Sequence, residues 1–172
     1  MPKGLARKTV IRSAYILSKL KELKCITMGE ACEMLRIGHA AALHLFRRLH
    51  RDGVVDRWYV GNGLRVMVWC LKDSQYTEID VYKAALRRFD IDIEYVEDLL
   101  KMFVVGARGR VVKISPAVFT GLPSTARAVM VDYIKWRLGE AVVKVEHRKK
   151  GVRNVKWSLY LDRDKAAEAL GL

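Results

Sequence analysis

Residues 27–55, TMGEACEMLRIGHAAALHLFRRLHRDGVV, hold the pattern that decides the fold. Thr27 and Glu30 have the spacing of a capping box, which starts a helix. A short apolar face follows and ends near Gly38, a residue free to adopt a turn conformation. A longer run then repeats apolar residues at helical spacing, namely Ala42, Leu45, Phe46 and Leu49. Gly53 stops this run, so the stretch predicts a short capped helix, a tight turn, a second helix over 38–52 and a strand.

The flanking residues extend this order of elements. Residues 8–24 are amphipathic at helical spacing. Residues 54–71 contain two strand-like runs around Gly61-Asn62-Gly63, a typical hairpin turn. The ordered pattern over 8–72 resembles the winged helix-turn-helix family of DNA-binding domains, of the archaeal or archaeal-virus type. The resemblance implies that 38–52 is a recognition helix for the major groove and that 54–71 is the wing.

The second half repeats the order more loosely. Residues 72–75 form a polar linker, and Thr77 begins a helix. A second helix, a short strand, a helix over 123–139 and a hairpin follow, so residues 77–162 resemble a second winged helix. We therefore expect an α+β fold of tandem winged helix-turn-helix domains, over 1–73 and 74–172. The GxxG pattern Gly106–Gly109 suggests a KH loop instead, but β-branched RVVKIS after it disfavours the helix that such a loop must open.

Charge points to a polyanionic partner. The chain of 172 residues has a formal net charge of +13. Residues 1–75 hold 14 Lys/Arg against 6 Asp/Glu, residues 76–110 hold 6 against 7, and residues 111–172 hold 12 against 6. Two basic ends thus flank a neutral middle, which suits nucleic acid. No run approaches the ~20 apolar residues of a membrane span, so we expect no membrane association.

Two groups of cations are candidate nucleic-acid contacts. On the 38–52 helix, His44, Arg47 and Arg51 share one side and Arg48 flanks it, although a solvated helix face would have the same pattern. The second group lies at the tip of the second hairpin, where a solubilising loop is the alternative: Arg148, Lys149, Lys150 and Arg153. The N-terminal half of the helix, HAAALHL, lacks base-reading side chains, which predicts tolerant sequence recognition.

The first hairpin is apolar on both faces of its alternation. Its large side chains include Trp58, Tyr59, Met67 and Trp69. A hairpin with one solvated face should alternate apolar and polar residues. We therefore expect a cover on its outer face, either the second half of the chain or another subunit. The second option predicts a homodimer or a protein partner bound through these four residues.

Other residue patterns bear on compartment and chemistry. Cys25, Cys32 and Cys70 form no CxxC pair, so we expect buried thiols and neither a disulfide nor a zinc site. The histidines of 39–50 are too far apart on a helix to share a metal. One Gln and two Asn suggest a heat-adapted archaeal source. Without a signal peptide the expected location is cytoplasmic, and without a phosphate loop, a nucleophile elbow or a metal cluster we expect no enzyme activity and no cofactor.

These patterns together predict a sequence-tolerant protein that binds double-stranded DNA. Transcription regulation or chromatin association at the nucleoid would be its role. Two alternatives remain open at this point. One is a protein-interaction module of transcription or replication machinery, and the other is a binder of single-stranded nucleic acid.

Overall fold

The structure is a computed structural model that describes the backbone of residues 3–61, 66–150 and 154–172. Over these residues it has seven α-helices and two antiparallel three-stranded sheets, which confirms the α+β class. The chain divides into two compact units. Of the described residues, unit 1 comprises 3–60 together with 66–89, and unit 2 comprises Gly61, 90–150 and 154–172. Among the described residues, no helix is both long and apolar enough to cross a lipid bilayer.

Unit 1 contains the helices and the hairpin predicted from 8–72, together with one strand, β1, and one helix, α4, that were not part of that prediction. Its elements are α1 (Lys3–Leu23), β1 (Cys25–Thr27), α2 (Met28–Leu35), α3 (His39–Arg51), β2 (Val55–Val60), β3 (Val66–Leu71) and α4 (Glu78–Arg87). β3 lies in the centre of the sheet, with β1 and β2 antiparallel on either side. Residues 72–74, predicted as a linker, form a short 3-10 turn between β3 and α4.

The capping box at the start of α2 is confirmed. The Thr27 side chain accepts a hydrogen bond from the Glu30 backbone N–H at 3.2 Å, and Glu30 accepts one from the Thr27 backbone at 3.1 Å. The turn after α2 differs from the prediction. Arg36, not Gly38, takes the left-handed conformation, with φ 52°. Gly38 is instead the extended residue that precedes α3. The helix ends two residues earlier than expected, so the glycine serves the start of α3.

The core of unit 1 lies between the sheet and helices α1 to α3. Trp69 is completely buried there and stacks on Phe46 of α3, with ring centroids 5.1 Å apart. Ile16 and Leu20 of α1 pack into the same cluster. This packing fixes α3 against the sheet, so the opposite side of α3 faces solvent.

The other face of the sheet is covered by α4, which packs on β1 and β3. Three of its residues in succession, Ala84, Ala85 and Leu86, are fully buried. The boundary between the compact units therefore falls at 89/90 and not at 73/74. The sequence placed residues 77–87 in the second domain because helix periodicity does not show which sheet a helix covers.

The first hairpin is covered on both faces, as expected. Of the two candidate covers, the second half of the chain or another subunit, it is the chain itself that supplies the cover. Trp69, proposed as an interface residue, is instead a core residue, and Met67 packs against the same core. Trp58 is half-buried and donates a hydrogen bond from Nε1 to the Tyr76 hydroxyl at 3.0 Å. Tyr59 is 44% exposed. The expectation of an apolar interface on this hairpin is thus wrong for Trp69, and Met67 and Trp58 have partners within unit 1.

A disulfide joins Cys25 of β1 to Cys70 of β3, contrary to the expectation of free thiols. The two residues are direct partners in the antiparallel register, and both are fully buried. Cys32 is the free cysteine. The spacing of cysteines along the chain could not reveal this pairing because strand register alone brings positions 25 and 70 together.

Arg87 ties the end of α4 to the capping box of α2. Its guanidinium donates to Glu30 Oε2 at 2.8 Å and to the Cys25 carbonyl at 2.9 Å. Glu30 is 14% exposed at its side chain, so its charge is largely removed from water. The ion pair therefore joins three elements of unit 1: α4, α2 and β1.

Replacing Arg87 with Ala is expected to lower the free energy of unfolding by about 1–2 kcal/mol, because the change leaves the largely buried Glu30 carboxylate and the Cys25 carbonyl short of donors. The matched control is Arg88→Ala, which removes a solvent-exposed pair with Glu33. Its effect should stay within about 0.5 kcal/mol. Urea unfolding of both variants measures the difference. Equal losses in the free energy of unfolding would show that the contacts of Arg87 stabilise the unit no more than an exposed ion pair does.

Unit 2 repeats the element order of unit 1. It contains α5 (Ile93–Gly106), β4 (Val111–Ile114), a 3-10 turn (Pro116–Phe119), α6 (Ser124–Leu138), β5 (Val142–Lys150), β6 (Asn154–Asp162) and α7 (Arg163–Ala169). Its sheet has the same strand arrangement, since β6 lies between β4 and β5 as β3 lies between β1 and β2. The residues after Gly109 form a strand, as predicted, and not the helix that a KH loop opens.

A partly buried polar network fixes the helices of unit 2. Glu97 of α5 accepts hydrogen bonds from the Tyr133 hydroxyl at 2.5 Å and from Arg137 Nε at 2.7 Å. Arg137 also donates to the Ala169 carbonyl in α7 at 2.8 Å. Burial, together with the hydrogen bond to Glu97, raises the pKa of Tyr133 far above its usual value. The phenol therefore stays a donor at neutral pH, and α5, α6 and α7 are held in one arrangement.

Candidate nucleic-acid interface

The solvent-facing side of α3 is basic over its C-terminal half. Four residues of α3 form its core side, Ala42, Leu45, Phe46 and Leu49. On the opposite side the structure places all four predicted contact residues in exposed positions, namely His44, Arg47, Arg48 and Arg51. Since α3 has 13 residues, these side chains form a row on a helix about 20 Å long.

No carboxylate in the described part of the chain pairs with these four side chains of α3. Within the described residues, His44, Arg47, Arg48 and Arg51 make no ion pair and no side-chain hydrogen bond. Some other arginines are closely paired, as Arg137 is with Glu97 at 2.7 Å. Unpaired like charges on one helix face repel each other, and that repulsion is relieved when an anion binds. The α3 face is therefore chemically suited to phosphate groups.

The N-terminal half of the exposed face is small and apolar. Ala40 and Ala41 are both exposed, and the residue before α3, Gly38, supplies no side-chain cap. A surface of methyl groups allows close approach to a groove and contact with thymine methyls, but it cannot make the bidentate hydrogen bonds that distinguish G or A. The two halves of α3 thus differ in chemistry, with shape contact at one end and charge at the other.

Arg57 of β2 is a further candidate that the sequence analysis missed. It is exposed, and its guanidinium carbon lies 5.4 Å from the centroid of the Tyr59 ring. Arg57 pairs in register with Trp69, so it lies on the sheet face that packs against α3. The signal available in the sequence is the alternation of side chains along the first hairpin, which places Arg57 on the same face as Trp69. From the sequence, that alternation is taken only as a sign of an apolar interface.

The second hairpin is long, with nine residues in each strand. The register pairs Arg148 with Lys156, Lys149 with Val155 and Lys150 with Asn154. Positions 148 and 150 therefore share one face of the hairpin, and position 149 belongs to the other. The side chains of Arg148, Lys149 and Lys150 lie outside the described residues, and Arg153 lies outside them entirely.

The helix α6 of unit 2 is not comparable to α3. Its buried residues cover most of its circumference: Ala126, Ala128, Val129, Met130, Val131, Tyr133, Ile134 and Leu138. The exposed residues of α6 are Lys135 and Trp136, which form no basic row. α3 and α6 therefore hold the same place in the topology of their units but differ in surface chemistry. Of these two helices, only α3 has an exposed basic face.

No metal chemistry is indicated for the described part of the chain. His, Cys, Asp and Glu side chains form no group of three there that could hold a metal ion. The residues that could engage a ligand on α3 are basic and small apolar side chains, which suit contact with phosphate groups.

Comparison with known proteins gives a likeness in fold. No protein-family model matches the chain, and no curated protein matches it. Among solved structures, the chain is similar to the crystal structure of a hypothetical protein, PyrSV_gp04, from Pyrobaculum spherical virus. The match covers 92% of this chain and 97% of that chain, with a TM-score of 0.50 and 16% sequence identity. At this identity the likeness concerns the fold, which the two chains share over nearly their whole length.

Proposed function

We propose that the protein binds double-stranded DNA with little sequence discrimination, as a transcription regulator or a chromatin-associated factor. The observation that carries the proposal is the face of α3, on which His44, Arg47, Arg48 and Arg51 are exposed and have no ion-pair partner among the described residues. The formal net charge of +13 supplies a long-range attraction in the same direction.

The proposed arrangement is a pair of winged helices with unequal roles. In unit 1, α3 would enter the major groove, with Arg57 beside it on the sheet. In unit 2, α6 has no exposed row of basic residues, so that unit would contribute the basic tip of its hairpin and no recognition helix. Contacts of this kind bind phosphates and position a protein without reading bases. Tolerant recognition follows from the alanines at the start of α3.

Salt dependence tests the proposal directly. With roughly six phosphate contacts, the logarithm of the association constant should fall with the logarithm of salt concentration at a slope of about −5. Fluorescence anisotropy of labelled duplexes of unrelated sequence should give nearly equal affinities. A flat salt response would contradict the proposal. Tighter binding to single-stranded DNA or RNA than to the duplex would favour the single-strand alternative instead.

The basic tip of the second hairpin should contribute less than α3. Changing Arg148, Lys149, Lys150 and Arg153 to Ala together is expected to reduce the magnitude of the salt slope by about 2, because alternate strand positions cannot all face one duplex. The melting temperature should stay nearly unchanged, because the core residues Trp157 and Leu159 lie further along β6. Parallel salt lines with equal affinities for variant and parent would mean that the tip does not touch DNA.

A further inference from the structure

We propose that unit 2 carries a second binding site, a cleft beside the C-terminal end of α5 that docks an acidic, apolar segment of a partner protein. The cleft has a volume of about 360 Å³. Met102 and Phe103 of α5 form one wall, and Val111 and Lys113 of β4 form the other, with Arg108 in the turn between them. None of these residues has a part in the proposed DNA contacts.

Apolar side chains are unusually exposed around this cleft. Met102 is 64% exposed, Val105 72% and Val111 57%. Tyr95, which lies about two helical turns before Met102 on the same side of α5, is 60% exposed. Methionine is flexible and polarizable, and such residues are frequent on surfaces that bind apolar segments. The outer side of α5 therefore presents exposed apolar side chains, interrupted by Asp98, in addition to the core side formed by Val96, Leu100 and Val104.

The rim of the cleft is positively charged. Arg108, Arg110 and Lys113 are exposed, and within the described residues none of them forms an ion pair. Lys113 lies over the Tyr160 ring, 5.6 Å from its centroid. Asp98 lies one helical turn before Met102 and marks the end of the positive rim. This charge pattern is complementary to a segment in which apolar side chains alternate with carboxylates.

The turn that carries the rim is held in place. Arg163, at the start of α7, donates its backbone N–H to the Arg110 carbonyl at 2.8 Å and its guanidinium to the Ala107 carbonyl at 3.4 Å. A turn fixed at both ends loses little further freedom when a partner binds. An acidic peptide is favoured over nucleic acid because the cleft presents methyl and thioether groups where phosphates would need donors.

The cleft and the basic tip lie at opposite ends of the same hairpin. Val111 pairs with Asp162, whereas Lys150 pairs with Asn154, eight residues earlier in β6. That separation is about 27 Å along the strand. Unit 2 can therefore engage DNA at the tip and a partner at the cleft simultaneously.

The test uses the full-length protein labelled with nitrogen-15 and a short synthetic peptide that forms a helix with Leu and Phe on one face and Asp and Glu elsewhere. Titration should shift the amide signals of residues 102–113 saturably. One control peptide replaces the acids by their amides, and another replaces Leu and Phe by Ser. Both should bind at least about tenfold more weakly.

Protein variants separate this site from the DNA site. Met102→Ser with Val105→Ser should weaken peptide binding about tenfold and leave duplex affinity unchanged. The matched control is Val143→Ser with Leu172→Ser, two exposed apolar positions elsewhere in unit 2 whose change should leave peptide binding intact. The proposal would be overturned if the control peptide in which Ser replaces Leu and Phe bound as tightly as the parent peptide. It would also be overturned if the peptide shifted only amide signals of α3. A single-stranded oligonucleotide that saturates residues 102–113 more tightly than the peptide would also overturn it, in favour of a nucleic-acid site.

Discussion

Replacing Arg47, Arg48 and Arg51 with Ala is expected to weaken binding to duplex DNA about 100- to 1,000-fold at about 50 mM salt. Each lost phosphate contact removes close to one counterion-release step, so the magnitude of the salt slope should fall by about 3. The loss should be similar for all duplex sequences, because these residues lie where phosphates and not bases are expected. Anisotropy at three or more salt concentrations measures both quantities.

The control for net charge is a second triple variant, Lys21→Ala, Lys24→Ala and Lys83→Ala. These lysines are exposed in unit 1 and lie outside α3, so the variant loses the same charge without touching the proposed interface. It should lose affinity only severalfold through the long-range field. Both triple variants should melt near the parent temperature, since all six changes are at exposed positions. If the two variants lose affinity equally, α3 is not the DNA-binding face.

Removing the Cys25–Cys70 disulfide is expected to have the largest effect on stability. The bond closes a loop with a sequence separation of 45. The chain-entropy estimate for a loop of that length is about 4 kcal/mol of the free energy of unfolding. For a unit of this size, that corresponds to a fall in melting temperature of roughly 15–30 °C. Thermal unfolding with and without a strong reductant, followed by circular dichroism, measures the shift.

Cys32→Ala provides the matched control, because Cys32 is the free cysteine of the same unit. This variant should retain the full response to reductant, whereas Cys25→Ala with Cys70→Ala should melt at the temperature of the reduced parent and ignore reductant. A parent protein whose melting temperature does not respond to reductant, with both thiols titratable after unfolding, would show that the disulfide does not form.

Much of unit 1 could be predicted from local chemistry. The capping box at Thr27 and Glu30, the stop at Gly53 and the hairpin after it each depend on neighbouring residues, and each is present. The exposed row of His44 and Arg47 follows from helical periodicity in the same way. Local signals succeed here because capping, turn formation and amphipathic burial are decided within a few residues.

The sequence by itself determined the class of fold, the order of elements and the basic side of α3, because these depend on periodicity and on charge composition. The tertiary structure decided what required contacts between distant residues. α4 belongs to unit 1 because it covers the second face of that sheet, the face of Trp58, whereas Trp69 is buried on the first face against Phe46 of α3. Cys25 meets Cys70 because strand register aligns them across β1 and β3. Folding also decides that the α3 arginines have no ion pair among the described residues. It determines where the carboxylates lie, and it pairs several of them with other arginines.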